Sequence, residues 1–281
     1  MANIEHLKTV AAQVRRDVIR MVYAPSSGHP GAALGCSDFF TALYFDVLRH
    51  NPKAFTMDGK TEDLFFLSNG HLSAVWYSAL ARSGYFPIKE LATFRFINSR
   101  LQGHPATAEH LEGIRIASGS LGQGLSVACG AALAKKLNGD SHLVFTLHGD
   151  GELQEGQIWE AALFAAAKKI DNLIITIDYN GQQIDGPVDE IISLGNLRAK
   201  WESFGWHVLE MNGNDMADTI RGLNEAKNAT GKGKPVAIIM KTEMGMGVDF
   251  MVGTHKWHGK APGKEEFEKA MAQLPETLGD Y

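Results

Sequence analysis

The sequence predicts one α/β domain, a mostly parallel sheet flanked by helices, and three features carry that expectation. Short, largely apolar runs at 64–67, 143–147, 173–177 and 236–240, and a more mixed one at 206–211, read as strands. Segments of helical periodicity alternate with them. Thirty glycines suit the many tight strand-to-helix turns of such a chain, and 281 residues with 44% hydrophobic content can bury a substantial core.

Composition narrows the class. A net charge of −5 leaves no general electrostatic footprint for nucleic acid or anionic lipid. The two cysteines, Cys36 and Cys129, lie in apolar, helix-like settings, so reduced buried thiols are expected rather than a disulfide framework or a metal pair. Residues 1–23 are amphipathic and interrupted by charge, unlike a signal peptide, and no apolar run approaches membrane-spanning length. The expectation is a cytoplasmic enzyme with neither nucleic-acid nor membrane partners.

In chain order, Ile4, Leu7, Val10, Ala11, Val14, Val18, Met21 and Val22 recur at helical spacing, and the helix stops at Pro25. The loop 26–31 follows. A second helix is expected from a Ser37 cap, carrying Phe39, Phe40, Leu43, Val47 and Leu48. The strand at 64–67 ends in Ser68-Asn69-Gly70-His71, and a helix over 72–82 ends at Gly84. An irregular stretch leads through 117–124 into a small-residue helix over 125–137, whose Ala, Cys and Gly residues permit close packing inside the domain or against another subunit. Beyond the third strand, a helical pattern at 216–227 separates the last two. The polar end from Ala261 reads as a short helix or surface tail.

The stretch 149–186 organises the rest. The strand at 143–147 delivers Asp150 between two glycines to its C-terminal end, and the strand at 173–177 opens onto Asp178-Tyr179-Asn180-Gly181. C-terminal strand ends are where open α/β sheets bind ligands. Two oxygen side chains there, with glycines that admit a bulky anion, suit a hard cation such as magnesium holding a diphosphate. Taken alone, GDG is an ordinary strand-to-helix turn; its pairing with Asn180 some thirty residues later reverses that reading. No Walker motif and no complete G-x-G-x-x-G follows any strand.

His29, His71, His104 and His258 each lie beside glycine in a loop between predicted elements. Any one of them alone reads as structural; together they point to a shared site. Their spacing fits no compact zinc motif, whereas imidazole suits hydrogen bonding to sugar hydroxyls and phosphate.

Asp150 and Asn180 together resemble the thiamine diphosphate fingerprint. SGHPGAALG at 27–35, SNGH at 68–71, GHP at 103–105, SGSLGQG at 118–124, GDGELQEG at 149–156 and THKWHG at 254–259 stand in the order of the transketolase family. The resemblance implies the thiamine diphosphate-binding α/β fold, with residues 1–260 as the diphosphate- and metal-binding domain and 261–281 as a helix or tail. It assigns Asp150, Asn180 and the Gln182 carbonyl to magnesium, or to calcium or manganese in its place, and Gly151 and His71 to the cofactor diphosphate. Gly119, Ser120 and Leu121 would lie beside the aminopyrimidine and thiazolium. His29 and His104 would hold hydroxyls of the ketose, with His258 between cofactor and substrate. Glu155 and Glu160 match carboxylates that communicate across the family's subunit interface. Met244 departs from the family where some relatives carry a lysine.

The family's pyrimidine-binding domain, which supplies the glutamate that activates the cofactor, has no counterpart in this sequence. The resemblance therefore implies the N-terminal subunit of a split transketolase, transferring a two-carbon unit between sugars or sugar phosphates. It would be inert until joined by a separate C-terminal subunit. The small-residue helices at 121–137 and 155–167 are the expected homodimer surface of an α2β2 heterotetramer. Within the same chemistry, a 1-deoxyxylulose 5-phosphate synthase or a ketolase for specialised sugars stays open, and beyond it a non-catalytic thiamine diphosphate-binding module.

Overall fold

Strands β1 (Leu64–Leu67), β2 (Val144–Gly149), β3 (Leu173–Tyr179), β6 (His207–Asn212) and β7 (Val236–Lys241) form a five-stranded sheet in the order β1-β2-β3-β7-β6. Every pairing in it is parallel. The computed structural model describes residues 3–281. The three central strands are buried almost throughout, as expected where helices cover both faces of a parallel sheet. Edge strand β6 instead buries only Val208 and Met211. A short antiparallel hairpin, β4 (Gln182–Gln183) with β5 (Gly186–Pro187), follows the end of β3.

The covering helices fall into two groups. Helices α1 (Ile4–Tyr23), α3 (Ser37–Ala42), α4 (Ser73–Arg82) and α9 (Met216–Ala229) pack together. Helices α5 (Gly124–Leu137) and α6 (Gly156–Ala167) form the other layer, with α8 (Leu197–Ser203) joined to it where Trp201 meets Trp159 and Trp206. Helix α1 presents Leu7, Val10, Val14, Val18 and Val22 to the core, and Asn3 caps it by accepting the His6 N–H. Asp215 caps α9 in the same manner. Cys36 and Cys129 are buried free thiols.

The second helix differs from expectation. It starts before Ser37, as α2 (Pro30–Gly35), and α3 then runs on through a π turn at Leu43–Val47, leaving Leu48 extended. Pro30, with its fixed φ and no N–H to satisfy, opens the helix, and the Ser37 hydroxyl donates back to the Ala33 carbonyl instead of capping. His29 consequently stands at the mouth of α2. Helices α7 (Val188–Ile192) and α8 were not predicted, because each is too short to establish a period.

The chain end is not loose. Phe267 of α10 (Lys264–Gln273) stacks on Tyr23 at 3.9 Å, and Asp280 pairs with Arg16 at 2.8 Å. The N–H groups of Thr277 and Leu278 both donate to the Gln13 side-chain oxygen. Among the described residues no helix is long and apolar enough to cross a membrane.

Asp17 fastens α1 to α4. Its carboxylate is fully buried and accepts from Arg82, Ser78 and Gln13, the Arg82 side chain being 4% exposed. Removing one member of a buried ion pair leaves the other charge uncompensated. Asp17→Ala is therefore expected to cost roughly 3–5 kcal/mol in urea unfolding, far more than removal of an exposed pair such as Lys8–Glu5.

Candidate active site

The parallel register places the C-terminal ends of β1, β2 and β3 side by side, with Leu67 opposite Leu147 and Gly149 opposite Asp178. The chain beyond those ends encloses a cleft of about 320 Å³. Its lining includes Asp150, Gly151, Asn180, Gln182, His71, Leu121, Glu155 and His258.

Asp150 joins two of the strand ends. It is buried, and its carboxylate accepts from the Gly151 N–H at 2.7 Å and from the Gly181 N–H, across the β2–β3 gap, at 2.6 Å. Asn180 is held from both sides: its amide donates to Asp178 at 2.7 Å and its oxygen accepts the Gln182 N–H at 2.9 Å. Asp178 also accepts from the Thr242 hydroxyl. Burial first, and then the charge of Asp178, pushes Asp150 up to about 7, against the pull of the backbone N–H groups. Burial likewise raises Asp178. Two acids so raised mark a place short of positive charge. Asp150, Asn180 and Gln182, which line one cleft, offer a carboxylate, an amide oxygen and a backbone carbonyl, the donor types a hard cation such as magnesium takes together with phosphate and water. Among the described residues no three His, Cys, Asp or Glu side chains cluster as a metal site; the Asp150 set is of a different kind.

Asn69, at the end of β1, was not singled out from the sequence, although it stands in SNGH much as Asn180 stands in YNG. It is 1% exposed, and neither its amide nitrogen nor its oxygen has a partner. Ser118 Oγ and His258 Nδ1 are orphaned in the same way. Buried polar groups without partners cost stability unless a ligand satisfies them. Asn69 and His258 both line the cleft, so the cleft is built for a polar guest.

Glu152 was missed as well. Though buried, it accepts from the Gly122 N–H at 2.8 Å, the Gly149 N–H at 3.1 Å and the Ser68 hydroxyl, with the His148 ring 3.3 Å away. Burial alone would raise it, but His148 and these hydrogen bonds hold it below the usual glutamate range. The Ser68 oxygen accepts in turn from the Gly124 N–H. One carboxylate thus ties the 118–124 loop to the ends of β1 and β2.

Four histidines from separate segments converge on the cleft. Ring centroids lie 5.0 Å apart for His71 and His258, 5.2 Å for His29 and His71, 5.9 Å for His29 and His258, and 6.0 Å for His29 and His104. Gly119, at φ +118°, lies against His104, and a Cβ there would come within 2.6 Å of the ring. Ser120 and Leu121 lie exposed on the same loop. Glu155 stands at the start of α6 on the cleft rim, whereas Glu160 lies on the exposed face of that helix, away from the cleft. Within this chain Glu160 therefore touches none of the grouped residues, and a catalytic contact for it is not made here.

The geometry has close counterparts. Residues 7–277 match the family described as transketolase, thiamine diphosphate binding domain. This chain belongs to the transketolase family. It is 37% identical over 278 residues to an apulose-4-phosphate transketolase subunit from Phocaeicola vulgatus, covering 98% of this chain and 96% of that one. A 6-deoxy-6-sulfo-D-fructose transketolase subunit of a Clostridium species is 37% identical over 271 residues, again with 96% of the relative covered. Human transketolase is 34% identical over 274 residues, of which the chain spans 42% of the length. The transketolase structure from Campylobacter jejuni superposes with a TM-score of 0.89 at 37% identity, covering 97% of this chain and 43% of that one. The transketolase fold and the N-terminal, thiamine diphosphate-binding part of that family are thereby established.

His29, His71 and His258 are partly buried and His104 is exposed, and all four rings are uncharged at neutral pH. All four are held below the ordinary histidine range, burial being the largest cause in each; for His29, at about 4, His258, Arg95 and His104 add to it. An unfolded histidine takes up its proton near 6.5 and folded His29 near 4, so its contribution to stability is complete above 6.5 and is lost as pH falls through that window. Asp150 acts in the opposite sense between its ordinary 3.8 and about 7. Comparison with His29→Gln cancels that part. Between about pH 7 and about pH 4.5 wild type is expected to lose more urea-unfolding stability than His29→Gln.

Proposed function

We propose that this chain is the thiamine diphosphate-holding subunit of a two-subunit ketolase, which moves a two-carbon ketol unit from a ketose or ketose phosphate to an aldose or its phosphate. The observation that carries the reading is the continuity of the Asp150–Asn180 cleft with the histidine cluster, through His71 and His258. A module that only held a diphosphate would have no use for His29 and His104 beyond it.

Bound thiamine diphosphate supplies the carbanion chemistry of carbon–carbon cleavage and transfer. The residues of the chain do the rest. Asp150, the Asn180 oxygen and the Gln182 carbonyl would hold magnesium, and the magnesium and His71 the diphosphate, with Gly151 leaving room for it. Orphaned Asn69 gains partners on binding. Gly119, Ser120 and Leu121 flank the cofactor's rings from the loop that Glu152 pins. His29, His104 and His258, uncharged at neutral pH, donate and accept hydrogen bonds at the substrate's hydroxyls and hold its reacting end in place.

Two further features support a separate partner. The chain matches nearly the full length of relatives that are themselves named as subunits. Helices α5 and α6 also expose apolar side chains, with Val127 and Phe164 each 42% exposed, Leu163 61% and Leu137 79%. In the proposal that face takes a second copy of the chain, Glu155 and Glu160 lie at the junction, and two partner subunits carrying the pyrimidine-binding domain complete an α2β2 enzyme. The names of these relatives favour a specialised sugar as donor over a common pentose phosphate.

Asp150→Ala should weaken magnesium-dependent binding of thiamine diphosphate at least about tenfold by calorimetry, since loss of a charged ligand is not made good by its neighbours. Unchanged affinity would remove Asp150 from the metal. The function itself is tested by mixing the chain with its candidate partner, thiamine diphosphate and magnesium. Two-carbon transfer is expected only in the mixture, and transfer by this chain alone, free of any second polypeptide by mass spectrometry, would refute the two-subunit reading.

A further inference from the structure

Arg95 enters the histidine cluster from the 94–104 loop. Its guanidinium donates to Ser27 Oγ at 2.8 Å and to the Gly103 carbonyl at 3.3 Å, and lies 3.4 Å from His29 Nδ1. It therefore spans the two segments that carry His29 and His104. Space has been made for it: a Cβ on Gly103 would fall 2.6–2.9 Å from the guanidinium atoms, so the carbonyl can approach only because residue 103 is glycine. The backbone is bent to the same end. Arg95 sits at φ 60°, an unfavourable value for a non-glycine residue, with its N–H bound to the Leu101 carbonyl.

The cation is also unbalanced. Among the described residues Arg95 pairs with no carboxylate, and its Nε is buried without a partner. An unpaired, half-buried arginine with a strained backbone is expensive if its only service is packing. The charged and titratable groups around His29 are His71 from the end of β1, His104 and Arg95 from the 94–104 loop, and His258 from the 254–259 loop, with Tyr77 of α4 behind Arg95.

We infer that Arg95 is a positioning residue for the ketol-transfer site: by donating toward Nδ1 of His29 it fixes the neutral ring with its proton on Nε2, so that His29 acts as a hydrogen-bond donor to substrate. The inference rests on the functional reading above for its purpose, though not for its test. Two donors cannot face each other, so a guanidinium N–H beside Nδ1 excludes the tautomer protonated there. The same cation opposes protonation of the ring, after burial and His258. Arg95 reaches the reaction only through His29.

The test is a long-range 1H–15N correlation spectrum of the uniformly labelled chain, with His29 assigned by its absence in His29→Gln. Wild type at neutral pH is expected to show the Nε2–H form alone; the Nδ1–H form would overturn the inference without any variant. Arg95→Met is expected to give a mixture of tautomers and to move the titration of His29 to higher pH, and Arg95→Lys to restore both toward wild type. A Met variant indistinguishable from wild type, or a Lys variant no better than Met, would overturn it too. In the assembled enzyme the acid limb of the kcat profile should move up in Arg95→Met while thiamine diphosphate affinity is unchanged. Should no ketol transfer be found at all, the spectra still decide the role of Arg95.

Discussion

The hydrogen bonds of Glu152 are the interaction on which the site depends. A buried carboxylate is stable only when well satisfied. This one draws its donors from the end of β1, the end of β2 and the 118–124 loop. The loop carrying Gly119, Ser120 and Leu121 is thus held by the sheet rather than by its own short-range contacts. Gly119 bears in turn on His104, which brings the 103–105 segment within the same arrangement. A change at Glu152 would be felt at the far side of the cleft.

The cleft divides its electrostatics by position. At the strand ends two buried acids meet: burial raises both Asp150 and Asp178, and the charge of Asp178 adds to the shift of Asp150. In the histidine cluster desolvation keeps the imidazoles neutral, and among the described residues the Arg95 guanidinium pairs with no carboxylate. Such an arrangement suits a cation at one end and uncharged hydroxyl recognition at the other. Both are arranged before any ligand enters, which reduces what binding must spend on reorganisation.

Stability and function are carried by different parts of the chain. The Asp17–Arg82 pair and the folded-back C-terminal residues secure the α1–α4 layer. On the opposite layer α5 and α6 leave apolar side chains in solvent. A domain with a helical layer secured in this way on one face and an exposed apolar one on the other is suited to assembly through the second.

Much of this was legible in the sequence. The apolar runs and their glycine-bearing ends gave the parallel sheet and the pairing of Asp150 with Asn180, because strand length and turn chemistry are local properties. The histidine loops could be recognised as a group by their motifs. Local pattern also misled where a stronger local rule intervened: Pro30 opened a helix ahead of the Ser37 cap. Other features had no local signature. Asn69 is notable because its partners are missing, Glu152 because donors distant in sequence meet it, and Arg95 because a strained turn aims it at Ser27, His29 and Gly103. Sequence determined at which strand ends Asp150 and Asn180 would lie and which histidine loops belong together. Only the tertiary structure decided which rings lie within about 6 Å of one another and which charges go unpaired, because those depend on packing between segments up to some two hundred residues apart.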